Sequence, residues 1–227
     1  MTLGLFVTGT DTHVGKTRVA TALCHAYAGR GQRVAAMKPI STGCTLTPAG
    51  LRCNDALALR GATNVQAAYA DVNPYPFEPA IAPHIAAAEV GGAIDFDVLD
   101  LAFERQRSLG DVIVVEGLGG WLVPLDAHRT LADLVVRWKL EVILVVGLRL
   151  GCLNHALLTT ESILRRDLIL RGWIANSIDP GFERREANIL ALQNRIPAPC
   201  LGILDHAPQA TAEAVGQTLS SSLFPAL

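Results

Sequence analysis

A chain of 227 residues with a formal charge of −2 is the size of one α/β domain, and its charge offers neither a nucleic-acid footprint nor a polybasic membrane surface. Half of the residues are hydrophobic and only 5% are aromatic, a balance that fits a parallel sheet covered by helices on both faces. Five cysteines, Cys24, Cys44, Cys53, Cys152 and Cys200, form no CxxC pair, so neither a disulfide framework nor a structural zinc site is expected; with no signal-like N-terminus and no bilayer-length apolar run, the cytoplasm is the expected location.

In chain order, a short β-branched run, a glycine, proline or polar junction and a longer segment of helical spacing repeat along the sequence. The first unit is a strand at Leu3 to Val7, the loop GTDTHVGKT at residues 9–17, and a helix over Val19 to Tyr27 that stops near Gly29 and Gly31. A second strand, Arg33 to Met37, ends at Lys38 and Pro39, and Ser41 to Leu51 reads as a loop. Asn54 or Asp55 then caps a helix from Ala56 to Arg60. Four prolines between residues 71 and 84 argue against an ordinary helix or a central strand there. Helical spacing resumes at Asp95 to Leu109. Further strands are expected at Val112 to Val115, ending at Glu116, at Val142 to Val146, ending at Gly147, and at Gly172 to Ala175, ending at Asn176. A helix is expected over Leu153 to Leu164, then a short strand at Cys200 to Leu204 and a polar C-terminal tail. One doubly wound domain accounts for the whole chain.

The loop carries the clearest chemistry. A strand breaking into a glycine-bearing turn and a helix N-terminus directs backbone N–H groups at one point, which suits phosphate. Gly15, Lys16 and Thr17 match the end of a phosphate-binding loop, in which the lysine reaches the β/γ-phosphates and the hydroxyl ligates Mg²⁺. The opening departs from the usual spacing, with Thr10 where glycine is standard and Gly9 one residue earlier.

Open parallel sheets bind ligands beyond the carboxyl ends of their strands. The residues at those ends are Gly9, Lys38, Glu116, Gly147 and Asn176. Charges directly after apolar strands are costly unless something pairs with them. Thr17 supplies a hydroxyl for a nucleotide-bound Mg²⁺, Glu116 an acid in the Walker-B position, and Asp55 a second acid, while Lys16 and Lys38 face the transferring phosphoryl group. The competing readings are a surface or capping acid for Glu116, a solvated strand-end lysine for Lys38 and a plain helix cap for Asp55. Asn176, with a donor and an acceptor, matches an adenine edge. His13 contributes backbone, His84 and His155 are structural, and Trp121, Trp138 and Trp173 belong to core or interface.

Taken together, FVTGTDTHVGKT at 6–17, MKPISTG at 37–43, LRCNDALAL at 51–59, VNPYPFEPAIAPHIAA at 72–87, VVEGLGGWLVPL at 114–125, VILVVGLRLGCLNHALLT at 142–159 and GWIAN at 172–176 resemble the dethiobiotin synthetases. The resemblance implies a P-loop NTPase-type domain acting as a homodimer on 7,8-diaminononanoate, CO₂ (or bicarbonate) and MgATP. By that resemblance Thr12, Lys16 and Lys38 contact phosphates or a carbamate, and Thr17, Asp55 and Glu116 hold Mg²⁺. The nucleotide further meets His13, Val14, Gly15, Arg18, Gly117, Leu118, Gly119, Asn176 and Ser177. Thr42 lies by the diamine, and Gly151, Cys152, Leu153 and Asn154 take the substrate carboxylate from the partner subunit. Leu118 stands where a smaller residue is common in that family. Two other readings are weaker. A partitioning-type ATPase switch would carry a signature lysine at position 11, where this chain has Asp11, and a cobyrinate-type amidating synthetase would need a glutaminase domain for which there is no room.

Overall fold

The computed structural model describes residues 2–207 and 209–223. The elements are β1 (Leu3–Gly9), α1 (Lys16–Ala28), β2 (Val34–Met37), β3 (Ile40–Ser41), β4 (Thr45–Thr47), β5 (Gly50–Arg52), α2 (Asn54–Ala62), α3 (Tyr69–Val72), β6 (Tyr75–Pro76), α4 (Pro83–Glu89), α5 (Phe96–Leu109), β7 (Val112–Glu116), α6 (Leu131–Trp138), β8 (Glu141–Leu148), α7 (Cys152–Leu164), β9 (Leu170–Ser177), α8 (Arg185–Gln193), β10 (Cys200–Leu204) and α9 (Ala212–Leu223). Six strands form one sheet in the order β10-β9-β8-β1-β7-β2, and every pairing in it is parallel.

Alternation along β1 divides the core. Leu5 and Val7 face α1, α2 and α9, whereas Phe6 joins the larger cluster built with α5, α6, α7 and α8. Because β2 and β7 are buried along their whole length, both faces are apolar and the strands read as continuous hydrophobic runs. Trp121 and Trp173 are core residues; Trp138 stacks on Phe103 with its indole N–H donated to Asp100. β1 lies between β7 and β8, so the loop leaving its carboxyl end opens where the winding direction changes. Among the described residues no helix is long and apolar enough to cross a membrane.

Three expectations are corrected. The stretch expected as a loop from Ser41 to Leu51 contains an antiparallel hairpin, β4 with β5, closed by Pro48 and Ala49 and by the Thr47 hydroxyl donating to the Gly50 carbonyl at 2.7 Å. Helix α2 is not capped by Asn54 or Asp55. It begins at Asn54, one residue before an Asn54 cap and two before an Asp55 cap would allow, with Cys53 at the cap position, which frees the Asp55 side chain to point elsewhere. The polar C-terminal tail is a helix whose Val215, Leu219 and Leu223 recur every four residues and seal the α1 face. In the proline-rich segment, β6 adds only a two-residue edge pair to β3, and Pro83 occupies the first turn of α4, where its missing N–H costs nothing.

Helix α9 approaches α1 closely because both are small at the contact. A Cβ on Gly216 would fall 2.6 Å from the Ala22 carbonyl oxygen and 3.3 Å from the Ala26 nitrogen. Gly216→Val is expected to destabilise the fold by about 1–3 kcal/mol through overpacking, which thermal unfolding would read as a melting temperature lower by several degrees, with the exposed Gln217→Ala as a control. An unchanged melting temperature would mean that α9 does not dock on α1.

Candidate active site

The phosphate-binding loop folds as it does because of one backbone demand and one side-chain tie. Gly15, at the N-cap of α1, has φ 96°, and a Cβ there would fall 2.2 Å from the Asn176 amide nitrogen. Asn176, near the end of β9, donates that nitrogen to the Val14 carbonyl at 2.8 Å and accepts at its oxygen from Arg18 at 3.2 Å. Val14 packs into the core beneath the loop, and Gly147 lets it approach β8 closely. The Asp11 carboxylate accepts from the Thr12 N–H at 2.7 Å and pairs with Arg149, so the opening of the loop is tied to the segment that leads into α7.

Above the loop lies a cavity of about 400 Å³, lined by Thr12, His13, Gly15, Lys16, Thr17, Lys38, Ser41, Thr42, Asp55, Glu116, Leu118 and Gly119. Its floor is an ionic cluster. Lys38 is 3% exposed and Glu116 1%, which removes the solvated readings of both. The Lys38 ammonium donates to Glu116 Oε1 at 2.7 Å and to the Gly117 carbonyl at 3.0 Å, and lies 3.0 Å from Asp55 Oδ2. Thr17 donates its hydroxyl to the same Glu116 oxygen at 2.7 Å. Asp55 therefore serves the cluster from the second position of α2 and not as a cap.

The titration tendencies follow from this packing. Burial pushes the Glu116 carboxyl up, and the neighbouring Lys38 and Thr17 offset that only in part. Burial by itself lowers Lys38, but Glu116 and Asp55 outweigh it and leave the ammonium above its ordinary value. Asp55 loses water too, yet Lys38 holds it below the usual carboxylate range. For Lys16, burial, with the Lys38 cation behind it, pushes the ammonium down to about 8.

Glu116 Oε2 is buried without a hydrogen-bond partner among the described residues, on a carboxylate whose other oxygen accepts from Thr17 and whose neighbouring charges include Asp55. A hard divalent cation bound mainly through phosphate oxygens and water needs only such a set of one hydroxyl and one or two carboxylates, so these residues fit Mg²⁺. Among the described residues no group of three or more His, Cys, Asp or Glu side chains is placed to hold a metal ion.

Other expected residues lie outside the cavity walls. Val14 and Gly117 contribute carbonyls to Asn176 and Lys38. Arg18 reaches Asn176 and the Asp205 carbonyl, and the Ser177 hydroxyl accepts from Arg185 at 2.8 Å. Gly151 to Asn154 form the start of α7, with Gly151 at φ 92°; they join the loop through the neighbouring Arg149 and not through the cavity. Two contributors escaped the sequence reading. Ser41 lines the cavity and donates to Asn73 Oδ1 at 2.8 Å, and Asn73 donates to the Lys38 carbonyl at 2.7 Å, fixing the backbone that presents the buried lysine. Ser41 stands in the KPIST run beside Lys38, a usable signal; Asn73 had none beyond its place before Pro74.

Residues 3–214 match a family model described as an AAA domain. The ATP-dependent dethiobiotin synthetase BioD of Xanthomonas campestris pv. campestris is 50% identical over 93% of this chain and 95% of its own length. Xylella fastidiosa BioD is 48% identical over 97% of this chain and 96% of its own. The chain belongs to the dethiobiotin synthetase family. Among solved structures, the MinD cell division protein of Aquifex aeolicus aligns with TM-score 0.61 and 16% identity, covering 97% of this chain and 94% of that one. The Pyrococcus horikoshii MinD bound to Mg-ADP aligns with TM-score 0.58 and 16% identity over 99% and 97%. At such identities the likeness is one of fold, the P-loop NTPase sheet, onto which the family's site is built.

The depressed Lys16 gives a signed expectation. Its value of about 8 lies below the ordinary 10.5, so the charged lysine opposes folding of the free protein at neutral pH, and that opposition fades as pH rises from about 8 to 10.5. Triphosphate oxygens favour the ammonium, so nucleotide binding near pH 8.5 is expected to take up a fraction of a proton, and affinity to fall as pH rises above 8. Calorimetry in two buffers of different ionisation enthalpy measures this. Binding without proton uptake across pH 8–9 would contradict the placement of Lys16.

Proposed function

We propose that the chain closes the ureido ring of dethiobiotin from 7,8-diaminononanoate and CO₂, with conversion of ATP to ADP and phosphate. The observation that carries the reading is the buried Lys38 held between Glu116 and Asp55 on the floor of the phosphate-loop cavity, in a chain half identical to named dethiobiotin synthetases. A nucleotide needs Lys16, Thr17 and the loop amides; a reaction between its γ-phosphate and an anion needs a second, water-shielded cation beside them.

In this reading one amine of the diamine adds to CO₂ and loses a proton, giving a carbamate. A carbamate oxygen attacks the γ-phosphorus as the bond to ADP breaks. The second amine then attacks the carbonyl carbon of the mixed anhydride, and phosphate leaves as the ring closes. Lys38 and Lys16 orient the two anions and stabilise the charge that spreads over the phosphoryl oxygens, and Thr12 lines the same cavity. Thr17, Asp55 and Glu116 would hold Mg²⁺, whose contribution is to neutralise charge on the phosphate oxygens.

The backbone from His13 to Arg18 cradles the phosphates, while Gly117, Leu118 and Gly119 border them opposite the loop. Asn176 and Ser177 face the base. Among the described residues each terminal atom of the Asn176 amide has one partner, and an amide offers two donors and two acceptor sites, so one of each is left for an adenine edge. Thr42 is assigned to the diamine. The N-terminus of α7, Gly151 to Asn154, is assigned to the substrate carboxylate of a partner subunit in a homodimer, which accounts for its position outside this subunit's cavity.

The test is direct. Purified protein given 7,8-diaminononanoate, bicarbonate, Mg²⁺ and ATP is expected to release phosphate only when the diamine is present and to yield dethiobiotin in equal amount by mass spectrometry. Phosphate release indifferent to the diamine would overturn the assignment.

A further inference from the structure

A pair of thiols lies beside the cavity, at the two feet of the β4–β5 hairpin. The β4–β5 register pairs Thr47 with Gly50, Leu46 with Leu51 and Thr45 with Arg52, and one step further brings Cys44 opposite Cys53. Counting back from the two-residue turn, hydrogen-bonded and non-hydrogen-bonded pairs alternate, which makes Cys44 and Cys53 a non-hydrogen-bonded pair. Such pairs have Cα atoms about 4.5 Å apart, within the span a disulfide accepts. Both thiols are free and buried, and they share a small apolar cluster with Ala56 and Val72. Burial pushes the Cys44 thiol up, and the nearby Cys53 adds to that rise. The hairpin above them is open to solvent, with Leu46 68% exposed.

The pair is wired to the lysine. Ser41 donates its one hydroxyl proton to Asn73, so its 3.1 Å contact with Cys44 Sγ is one in which the thiol is the donor. The Cys53 N–H donates to the Tyr69 hydroxyl at 2.8 Å, and that hydroxyl donates to Asn73 Oδ1 at 3.2 Å. Asn73 in turn holds the Lys38 carbonyl. Asp55 follows Cys53 by two residues, and Thr42 precedes Cys44 by two.

We propose that Cys44 and Cys53 are a redox modification site, closed to a disulfide by a peroxide-class oxidant and thereby slowing turnover at the adjoining cavity. One sulfur attacks a peroxide oxygen, the O–O bond breaks, and a sulfenic acid and one water form. The second sulfur displaces the sulfenic oxygen, which leaves as water, so that two thiol hydrogens are lost and one S–S bond is gained. A dithiol reductant reverses it. Closure removes the S–H that Ser41 accepts and fixes the span from Thr42 to Asp55 at both ends. The link to turnover rests on the ring-closing reading above; the linkage itself does not.

The experiment treats the reduced full-length protein with hydrogen peroxide, alkylates the remaining thiols and maps peptides without reduction. The expected result is a Cys44–Cys53 linked pair lighter by two hydrogens, with diamine-dependent phosphate release several-fold lower and restored by dithiothreitol. Cys44→Ser, which keeps a donor for Ser41, and Cys53→Ser should each give no link and retain turnover in peroxide. Cys44 and Cys53 still alkylated at peroxide levels that oxidise the more exposed Cys200 would overturn the proposal, as would a linked pair with unchanged turnover. Failure of the ring-closing reading would show separately, as inactivity of the reduced protein.

Discussion

The structure around the cavity depends on the placement of one ammonium group, that of Lys38, against two carboxylates at the rim of a fully buried strand pair. Removing ions of this size from water costs several kcal/mol each, and a pair so placed persists only where its remaining hydrogen-bonding capacity is met. Here the lysine spends its donors on Glu116, Asp55 and the Gly117 carbonyl, and Thr17 takes up the same Glu116 oxygen. What is left over is one buried Glu116 oxygen with no hydrogen-bond partner among the described residues, and a Lys16 held below its ordinary pKa. In the reading proposed above, a magnesium nucleotide would bring a cation to the acids and an anion to the loop lysine.

The fold delivers this arrangement through ordinary means. Lys38 and Glu116 end up adjacent because β2 and β7 are parallel neighbours in register, Met37 opposite Val115. Thr17 joins them because α1 begins at the end of β1, on the other side of β7. The same fold occurs in the MinD cell division protein of Aquifex aeolicus at 16% identity. Position 11, where a partitioning-type ATPase would present lysine, holds an aspartate paired with Arg149.

Much of this was legible in the residues. Strand ends could be read because buried parallel strands are apolar until they stop, so Lys38 and Glu116 announced themselves by interrupting VAAM and VIVV. The partners of those charges were harder to see. Asp55 read equally well as a helix cap, and only the start of α2 at Asn54 turned its side chain toward Lys38. Asn73 supports the lysine from a proline-rich segment with no periodicity to place it. The hairpin at 45–52 was hidden by its short strands and Thr/Gly/Pro content, and α9 by polar residues that masked the four-residue spacing of Val215, Leu219 and Leu223. Tertiary contact, not local propensity, decides each of these.

The central claim is that the cavity moves the γ-phosphoryl group to an oxygen derived from CO₂. A single turnover started with ¹⁸O-labelled CO₂ and quenched before isotope exchange with water tests it most directly. The account predicts that the released phosphate carries one oxygen from CO₂, because the carbamate oxygen that attacks phosphorus leaves with it when the ring closes. Phosphate whose new oxygen comes from water alone would contradict it.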